Sequence, residues 1–234
     1  MDRIYKDPDF SIITITFNND NLVKTVQSVI ELKERSVVNI EHVLINGGSH
    51  TELSNLVDSY INEPDGGIYD ALNKGLERSN GKFIMFVHAD DYIDASLDLD
   101  SIALFFKGNP NVDIYLGRTF INSKLGRYHG SLLWRPFLLK AHIQPPHLSA
   151  IYRSYLFDNF RFNTTYRIIS DFLMFRHFSN STFKYSRTRM VVQEANGLSS
   201  NFVNVTREFV VLDGLRSWLI MPFRLIYKML LGWI

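Results

Sequence analysis

The 234-residue chain contains no cysteine, which excludes a disulfide scaffold and a thiol nucleophile while permitting either redox compartment. It has almost no charge surplus: 25 lysines and arginines face 24 aspartates and glutamates, a formal +1. That balance gives no reason to expect the concentrated basic surface that grips nucleic acid. The opening MDRIYKDPDF lacks the continuous apolar run of a secretory signal, so residence on the cytosolic side is expected. The glycines that follow the second apolar run, NGGS, lack the G-x-G-x-x-G spacing, which disfavours a nicotinamide site. What the chain does have is 46% hydrophobic and 14% aromatic content, ample for the core of one large α/β domain or two small ones.

Phe10 to Phe17, FSIITITF, is rich in β-branched residues and reads as a central first strand. Asn18, Asn19 and Asp20 supply turn or capping oxygens, and Leu22, Val26, Val29 and Ile30 recur on one helical face. Ile40 to Ile45 reads as the second strand and runs into Asn46, Gly47, Gly48 and Ser49, after which Leu53, Leu56, Val57 and Tyr60 predict a helix. The paired glycines fit either an ordinary tight turn or a close approach of backbone to a phosphate. Glu63 to Gly67, EPDGG, is a turn, and Ile68 to Ser79 predicts a short helix with Ile68, Leu72 and Leu76 inward. Asp65, Asp70 and Asn73 on this excursion read either as turn and helix-surface residues or as groups that orient a polar substrate.

The stretch FIMFVHADDYI is the most informative one. Phe83 to Val87 fits a strand buried between helices, and it ends in His88, Ala89, Asp90 and Asp91. Two adjacent carboxylates repel one another unless water, hydrogen bonds or a cation compensate them. A divalent ion whose shell is completed by substrate phosphates is one solution, and a solvent-exposed polar turn is the other. Three βα units with polar strand exits imply a single nucleotide-sized crevice at one sheet edge.

Downstream, Leu97 to Phe106 predicts a helix, Val112 to Leu116 a strand, and Arg118 to His129 short strands or a hairpin within the same domain. The segment WRPFLLKAHIQPPHLSAIYR carries Trp134 and His147, each either a packing residue or part of an acceptor cleft. Ser170 is placed to cap a helix whose first turn holds Asp171, with Phe172 and Phe175 facing the core. Phe183 to Val192 reads as a late strand, followed by Glu194, Asn196 and Gly197 as a polar turn. The end, LRSWLIMPFRLIYKMLLGWI, is apolar and aromatic but broken by Pro222, Arg216, Arg224 and Lys228. It reads as a docked helix or as an amphipathic element lying on a membrane surface.

The order of SIITITFNN, INGGS, EPDGGIYDALNKG and FVHADD, from about residue 10 to 94, resembles glycosyltransferase family 2 of the bacterial polysaccharide-biosynthesis type. PPHLSAIYR and YRIISDFLMFR extend the resemblance to about residue 200. It implies an α/β GT-A nucleotide-diphospho-sugar transferase fold, with a Rossmann-like central mixed sheet flanked by helices. It also implies a single GT-A catalytic domain over residues 1–205 and a C-terminal hydrophobic or amphipathic helical tail over 206–234. By position, Asp91 resembles the direct contact of a divalent Mn2+ or Mg2+ ion, with Asp90 assisting the donor sugar or ribose. Thr16, Phe17, Asn46, Gly47, Asp70 and Asn73 fall among the donor-binding positions. Asp171 resembles the catalytic base, with His147 and Trp134 on the acceptor side. The chain departs from the family pattern at Asn46, where aspartate is commoner, and at His50-Thr51, where Thr-Asp is usual.

The function so implied is transfer of a sugar from a nucleotide-diphosphate sugar to a hydroxyl of a saccharide or polyprenyl-linked acceptor, metal-dependent and inverting. Peripheral contact with the inner face of the cell membrane, and no nucleic-acid partner, complete the expectation. Metal-dependent phosphoryl or nucleotidyl transfer, and a non-catalytic nucleotide-sugar-binding module, stay open on the residues alone because carboxylates beside phosphate-binding turns serve all three.

Overall fold

The first strand has no exposed side chain. β1 (Phe10–Thr16) is buried along its length, as a strand covered on both faces must be, and its isoleucines and threonines suit the pleat. α1 (Leu22–Arg35) follows and buries Leu22, Val26, Val29 and Leu32. Then come β2 (Ile40–Asn46), β3 (Ser59–Asn62), α2 (Ile68–Arg78), β4 (Phe83–Phe86), β5 (Tyr92–Ile93), α3 (Leu99–Gly108), β6 (Ile114–Asn122), β7 (Arg127–Gly130), β8 (Ala150–Arg153), α4 (Ser170–His177), β9 (Phe183–Glu194) and α5 (Phe202–Asp213). This computed structural model describes residues 8–18, 20–122, 127–130, 134–194, 202–214, 216, 217, 219, 220 and 222.

The helix expected over Leu53 to Tyr60 is instead a 3-10 turn, Glu52–Leu56, followed by β3. A segment this short gains little from helix formation alone, whereas pairing Tyr60 with Leu44 and Ile61 with Ile45 satisfies backbone groups along the open side of β2. Asn18 and Asp20 do not provide the α1 cap either. Asn21 holds that position without a side-chain cap, and its amide Nδ2 donates to Asp90 Oδ1 at 2.8 Å.

The sheet order is β3-β2-β1-β4-β8-β6-β9-β5, with β7 paired to β6. β3, β2, β1 and β4 are parallel. β8 lies antiparallel between β4 and β6, β9 is parallel to β6, and β5 is antiparallel to β9. The result is the expected Rossmann-like mixed sheet flanked by helices, and the hairpin expected over Arg118 to His129 is the β6–β7 pair. Parallel register brings Thr16 beside Asn46. Beyond β4, Val87 N donates to Ile13 O and Ala89 N to Ile15 O. The exits of β1, β2 and β4 therefore meet at one edge.

Trp134 is a core residue, which corrects its expected place at an acceptor surface. It is 2% exposed, donates Nε1 to Ile143 O at 2.9 Å and packs its ring on Phe175 and Phe183. A buried indole needs an acceptor, and the backbone of residue 143 supplies it.

The expected domain boundary at 205/206 falls inside α5. This helix buries Val205 and Phe209 in the main core, and Phe209 stacks on the His142 ring at 4.1 Å. Its Glu208 accepts the backbone N–H groups of Arg167, Ile168 and Ile169 at 2.8, 2.9 and 3.1 Å. Its Asp213 meets His142 Nε2 at 2.7 Å and Arg176 at 3.5 Å. The tail residues Phe223 to Ile234 lie outside the described residues. Among those described, no helix is long and apolar enough to cross a membrane.

Glu208→Ala should destabilise the fold by about 1–3 kcal/mol, because three backbone donors lose a charged acceptor together. Urea unfolding read by circular dichroism checks this, and an unchanged midpoint would show that the segment before α4 does not depend on α5.

Candidate active site

The exits of β1 and β2 interlock. Asn18, held at a positive φ of 48°, accepts the Ser49 N–H on Oδ1 at 2.7 Å. Asn46 is 2% exposed, and its amide shapes the loop: Nδ2 donates to Ser49 O at 2.6 Å and to Tyr60 OH at 3.2 Å, while Oδ1 accepts from Gly48 N at 2.9 Å. Those two donations require an amide, so asparagine suits this loop as an aspartate would not. Gly47 is required by its neighbour. A Cβ there would sit 1.9 Å from Asp65 Oδ2, so the EPDGG loop closes directly over the NGGS loop. Thr16 is buried, and its hydroxyl has no hydrogen-bond partner among the described residues. Phe17 is 68% exposed at the same edge.

On α2, Asp70 accepts the Gly66 N–H at 2.9 Å and pairs with Lys74 at 3.4 Å, so one of its oxygens fixes the turn before the helix. Asn73, expected among the donor-binding positions, bonds to the backbone of Phe162. Its Nδ2 donates to Phe162 O at 2.9 Å and its Oδ1 accepts from Phe162 N at 2.8 Å. This two-way bond joins α2 to the segment that leads to α4.

The acidic loop turns through Asp90, whose φ of 87° is strained for a side chain of this kind. Asp91 points inward and is 5% exposed. Thr25 Oγ1 donates to Asp91 O at 2.7 Å, and Asp91 Oδ1 accepts from Glu194 N at 3.2 Å. Desolvation raises the Asp91 carboxyl to about 8. The Glu194 amide offsets part of that rise, and the Asp90 and Glu194 charges add to it. A buried carboxylate with acidic neighbours and no ion pair among the described residues fits a hard divalent cation. Among the described residues no three His, Cys, Asp or Glu side chains converge on one point, so the protein would supply only part of the ion's shell.

Asp171 lies in the first turn of α4. Ser170, expected as its cap, instead accepts the Asn163 N–H at 2.7 Å, and Ile169 holds the cap position. Asp171 Oδ2 accepts from Gln144 Nε2 and lies 3.3 Å from His147 Nδ1. Its Oδ1 accepts from Phe172 N at 2.9 Å and lies 3.2 Å from the Tyr69 hydroxyl. His147 Nε2 is in turn 3.2 Å from His88 Nε2. The chain of contacts therefore runs from the acidic loop, through His88 and His147, to Asp171. The sequence reading named Asp91, His147 and Asp171 as site residues and did not name His88, Gln144 and Tyr69, which the structure brings beside them. Adjacency to the HADD turn and to PPH was the only signal for the first two, and none marks Tyr69.

Compared with known proteins, residues 11–184 match the family described as Glycosyl transferase family 2. A PGL/p-HBAD biosynthesis glycosyltransferase of Mycobacterium bovis is 28% identical over 218 residues, 87% of this chain and 83% of the relative. An uncharacterized glycosyltransferase of Mycobacterium tuberculosis is 38% identical over 92 residues, 36% of this chain and 34% of the relative. The crystal structure of S. aureus TarS 1-349 in complex with UDP-GlcNAc superposes with a TM-score of 0.66 at 18% identity, covering 87% of this chain and 66% of that one. The chain spans 42% of a longer TarS structure. The likeness to TarS is one of fold.

The buried titratable groups set a pH signature for the metal-free protein. Desolvation holds His42 and His88 at about 3, against 6.5 for a free histidine. Their stabilising contribution is present above about pH 6.5 and is lost as pH falls toward 3. Asp91 has the opposite sign. Its contribution is present below about pH 4 and is lost as pH rises toward 8. The melting temperature should thus peak near pH 6.5 and decline toward pH 8. Asp91→Asn should flatten the alkaline decline. The stabilisation gained from Mn2+ should grow across the same window and vanish in that variant. Differential scanning fluorimetry across pH, with and without Mn2+, measures both.

Proposed function

The chain belongs to glycosyl transferase family 2, and on that premise we propose that its nucleotide-diphosphate sugar donor lies along the exits of β1, β2 and β4 while Asp171 deprotonates the attacking acceptor hydroxyl. Membership makes the chain a glycosyltransferase that uses a nucleotide-sugar donor, and it sets aside phosphoryl transfer and a binding-only module. The observation that carries the reading is the contrast between two carboxylates linked by contacts through His88 and His147. Asp91 is buried and short of donors, a setting for an ion that faces a diphosphate. Asp171 is held on both oxygens by fixed donors, a setting for a base aimed at one point.

On the donor side, the exposed Phe17 ring offers a stacking surface for the base, next to Asn18, which bonds to the loop from Asn46 to Ser49. Asp90 is placed for the ribose or sugar hydroxyls, and a UDP-sugar is the donor class suggested by the TarS complex. A Mn2+ or Mg2+ ion bound at Asp91 would neutralise the charge of the departing nucleoside diphosphate. Asp171 acts from the other side, so one direct displacement inverts the anomeric centre. Gln144 Oε1, buried beside Asp171 without a hydrogen-bond partner among the described residues, is available to accept from a second hydroxyl of the acceptor. That acceptor is a saccharide or a polyprenyl-linked saccharide. The apolar, basic tail sequence from Arg216 to Ile234 supports a membrane-held one.

Asp171→Asn should keep nucleotide binding and lower transfer by about 100- to 10,000-fold, the range for loss of a general base. Asp91→Asn should lose the metal-dependent part of nucleotide affinity while keeping its circular dichroism spectrum. Calorimetry with Mn2+ and UDP, together with mass-resolved transfer across a donor and acceptor panel, reads both. Near-normal single-turnover transfer by Asp171→Asn would remove it as the base, and unchanged metal-dependent affinity in Asp91→Asn would remove the ion from that carboxylate.

A further inference from the structure

The first half of β9 carries positive charge that the site at the strand exits does not use. Where β6 has the single residue Gly117, β9 has three, Ser186, Arg187 and Thr188, so the strand bulges between Tyr185 and Arg189. Gly117 makes room for this: a Cβ there would sit 2.7 Å from Thr188 O and 2.4 Å from Met190 Cγ. Three hydroxyls fasten the bulge to β6. Tyr115 OH lies 2.8 Å from Ser186 Oγ and 2.7 Å from Thr188 Oγ1, and those two are 2.8 Å apart.

Around this bulge three cations meet. Lys184, Arg187 and Arg189 line one cavity of about 510 Å³ between α3 and the β6–β9 pair, with Tyr115 and Thr188 in its wall. Lys184 and Arg187 form no ion pair among the described residues, and the Lys184 ammonium lies 5.3 Å from the centre of the Phe105 ring. The one carboxylate among the described lining residues is Asp98, which already accepts from Ser101 N at 2.9 Å and from Ser101 Oγ at 2.6 Å. Three cations against one carboxylate leave a surplus of two positive charges, which repel one another until an anion enters. A phosphate group fits that surplus: it carries nearly two negative charges at neutral pH, and its oxygens match the forked donors of a guanidinium.

We propose that this cavity binds a phosphate group, at a site separate from the donor edge. Its walls belong to α3, β6 and β9, whereas the donor edge is built from the exits of β1, β2 and β4. The two places share a strand. Arg189 stands five residues before Glu194, whose amide bonds to Asp91, so no more than about 17 Å of extended chain separates the cavity from the acidic loop. The phosphate belongs to a phosphorylated small molecule or to an anionic lipid headgroup, which present the same oxygens. None of this depends on the roles given to Asp91 and Asp171.

Calorimetry of the full chain with inorganic phosphate tests the site, at about 0.15 M NaCl to screen diffuse attraction and with UDP and Mg2+ present to fill the donor edge. Saturable binding is expected, and Lys184→Gln combined with Arg187→Gln should weaken it by about 10-fold or more. Both side chains are exposed, so the melting temperature and the Kd for UDP should stay unchanged in that variant. Two further probes separate the sources. Glycerol 3-phosphate binding tighter than inorganic phosphate assigns a soluble ligand, whereas sedimentation with phosphatidylglycerol vesicles, absent with phosphatidylcholine and lost in the double variant, assigns a headgroup. Phosphate binding that the double variant retains in full overturns the proposal. So does the absence of binding up to about 10 mM phosphate together with vesicle sedimentation that the double variant leaves unchanged.

Discussion

Parallel pairing of β1 with both β2 and β4 is the constraint on which the rest of this molecule depends. Strands that share a direction end at the same edge, so Thr16, Asn46 and the HADD turn meet without any long-range attraction between them. The same pairing buries the strands on both faces and leaves only their exits free to carry polar chemistry. The loops then tighten on one another. Asp65 lies on the backbone of Gly47, and Asn18 bonds to Ser49, so the edge is pre-shaped rather than assembled around a ligand.

The two carboxylates Asp91 and Asp171 differ because of what surrounds them. Asp91 is nearly inaccessible and accepts one backbone N–H, so its charged form is costly. Asp171 accepts from a side-chain amide and a backbone N–H and lies 3.3 Å from the His147 imidazole, so its orientation is fixed. An exposed pair of aspartates would show neither property. The difference between the two carboxylates is an effect of burial and donor count.

The acceptor side is held by elements far apart in the chain. α5 fixes the segment before α4 through Glu208 and the 142 region through Asp213 and Phe209, and these two stretches carry Asp171 and Gln144. Asn73 does comparable work from α2, anchoring Phe162 on both sides of its amide. A residue expected among the donor-binding positions thus braces the segment that leads to α4. Both cases follow from the need to satisfy backbone groups in segments that have no sheet or helix of their own.

The sequence alone determined what local pattern can encode. Buried strands announce themselves as apolar runs, α2 as a turn followed by helical spacing, and Asp91 and Asp171 as carboxylates at a strand exit and a helix start. Where local pattern was weak it misled: the stretch from Leu53 to Tyr60 has helical spacing, but the unpaired side of β2 offered a better place for its backbone. Only the tertiary structure decided which groups meet. β8 inserts between β4 and β6, which brings the stretch just before it, and with it His147, beside His88 across 59 positions of chain. Pairing of β5 with β9 lays the Glu194 amide on Asp91. Trp134 has the same composition signal whether it lines a cleft or fills a core, and the neighbours Phe175 and Phe183 settle it as core. Hydrogen-bond partners and desolvation depend on distances in space, and sheet order sets those distances independently of separation along the chain.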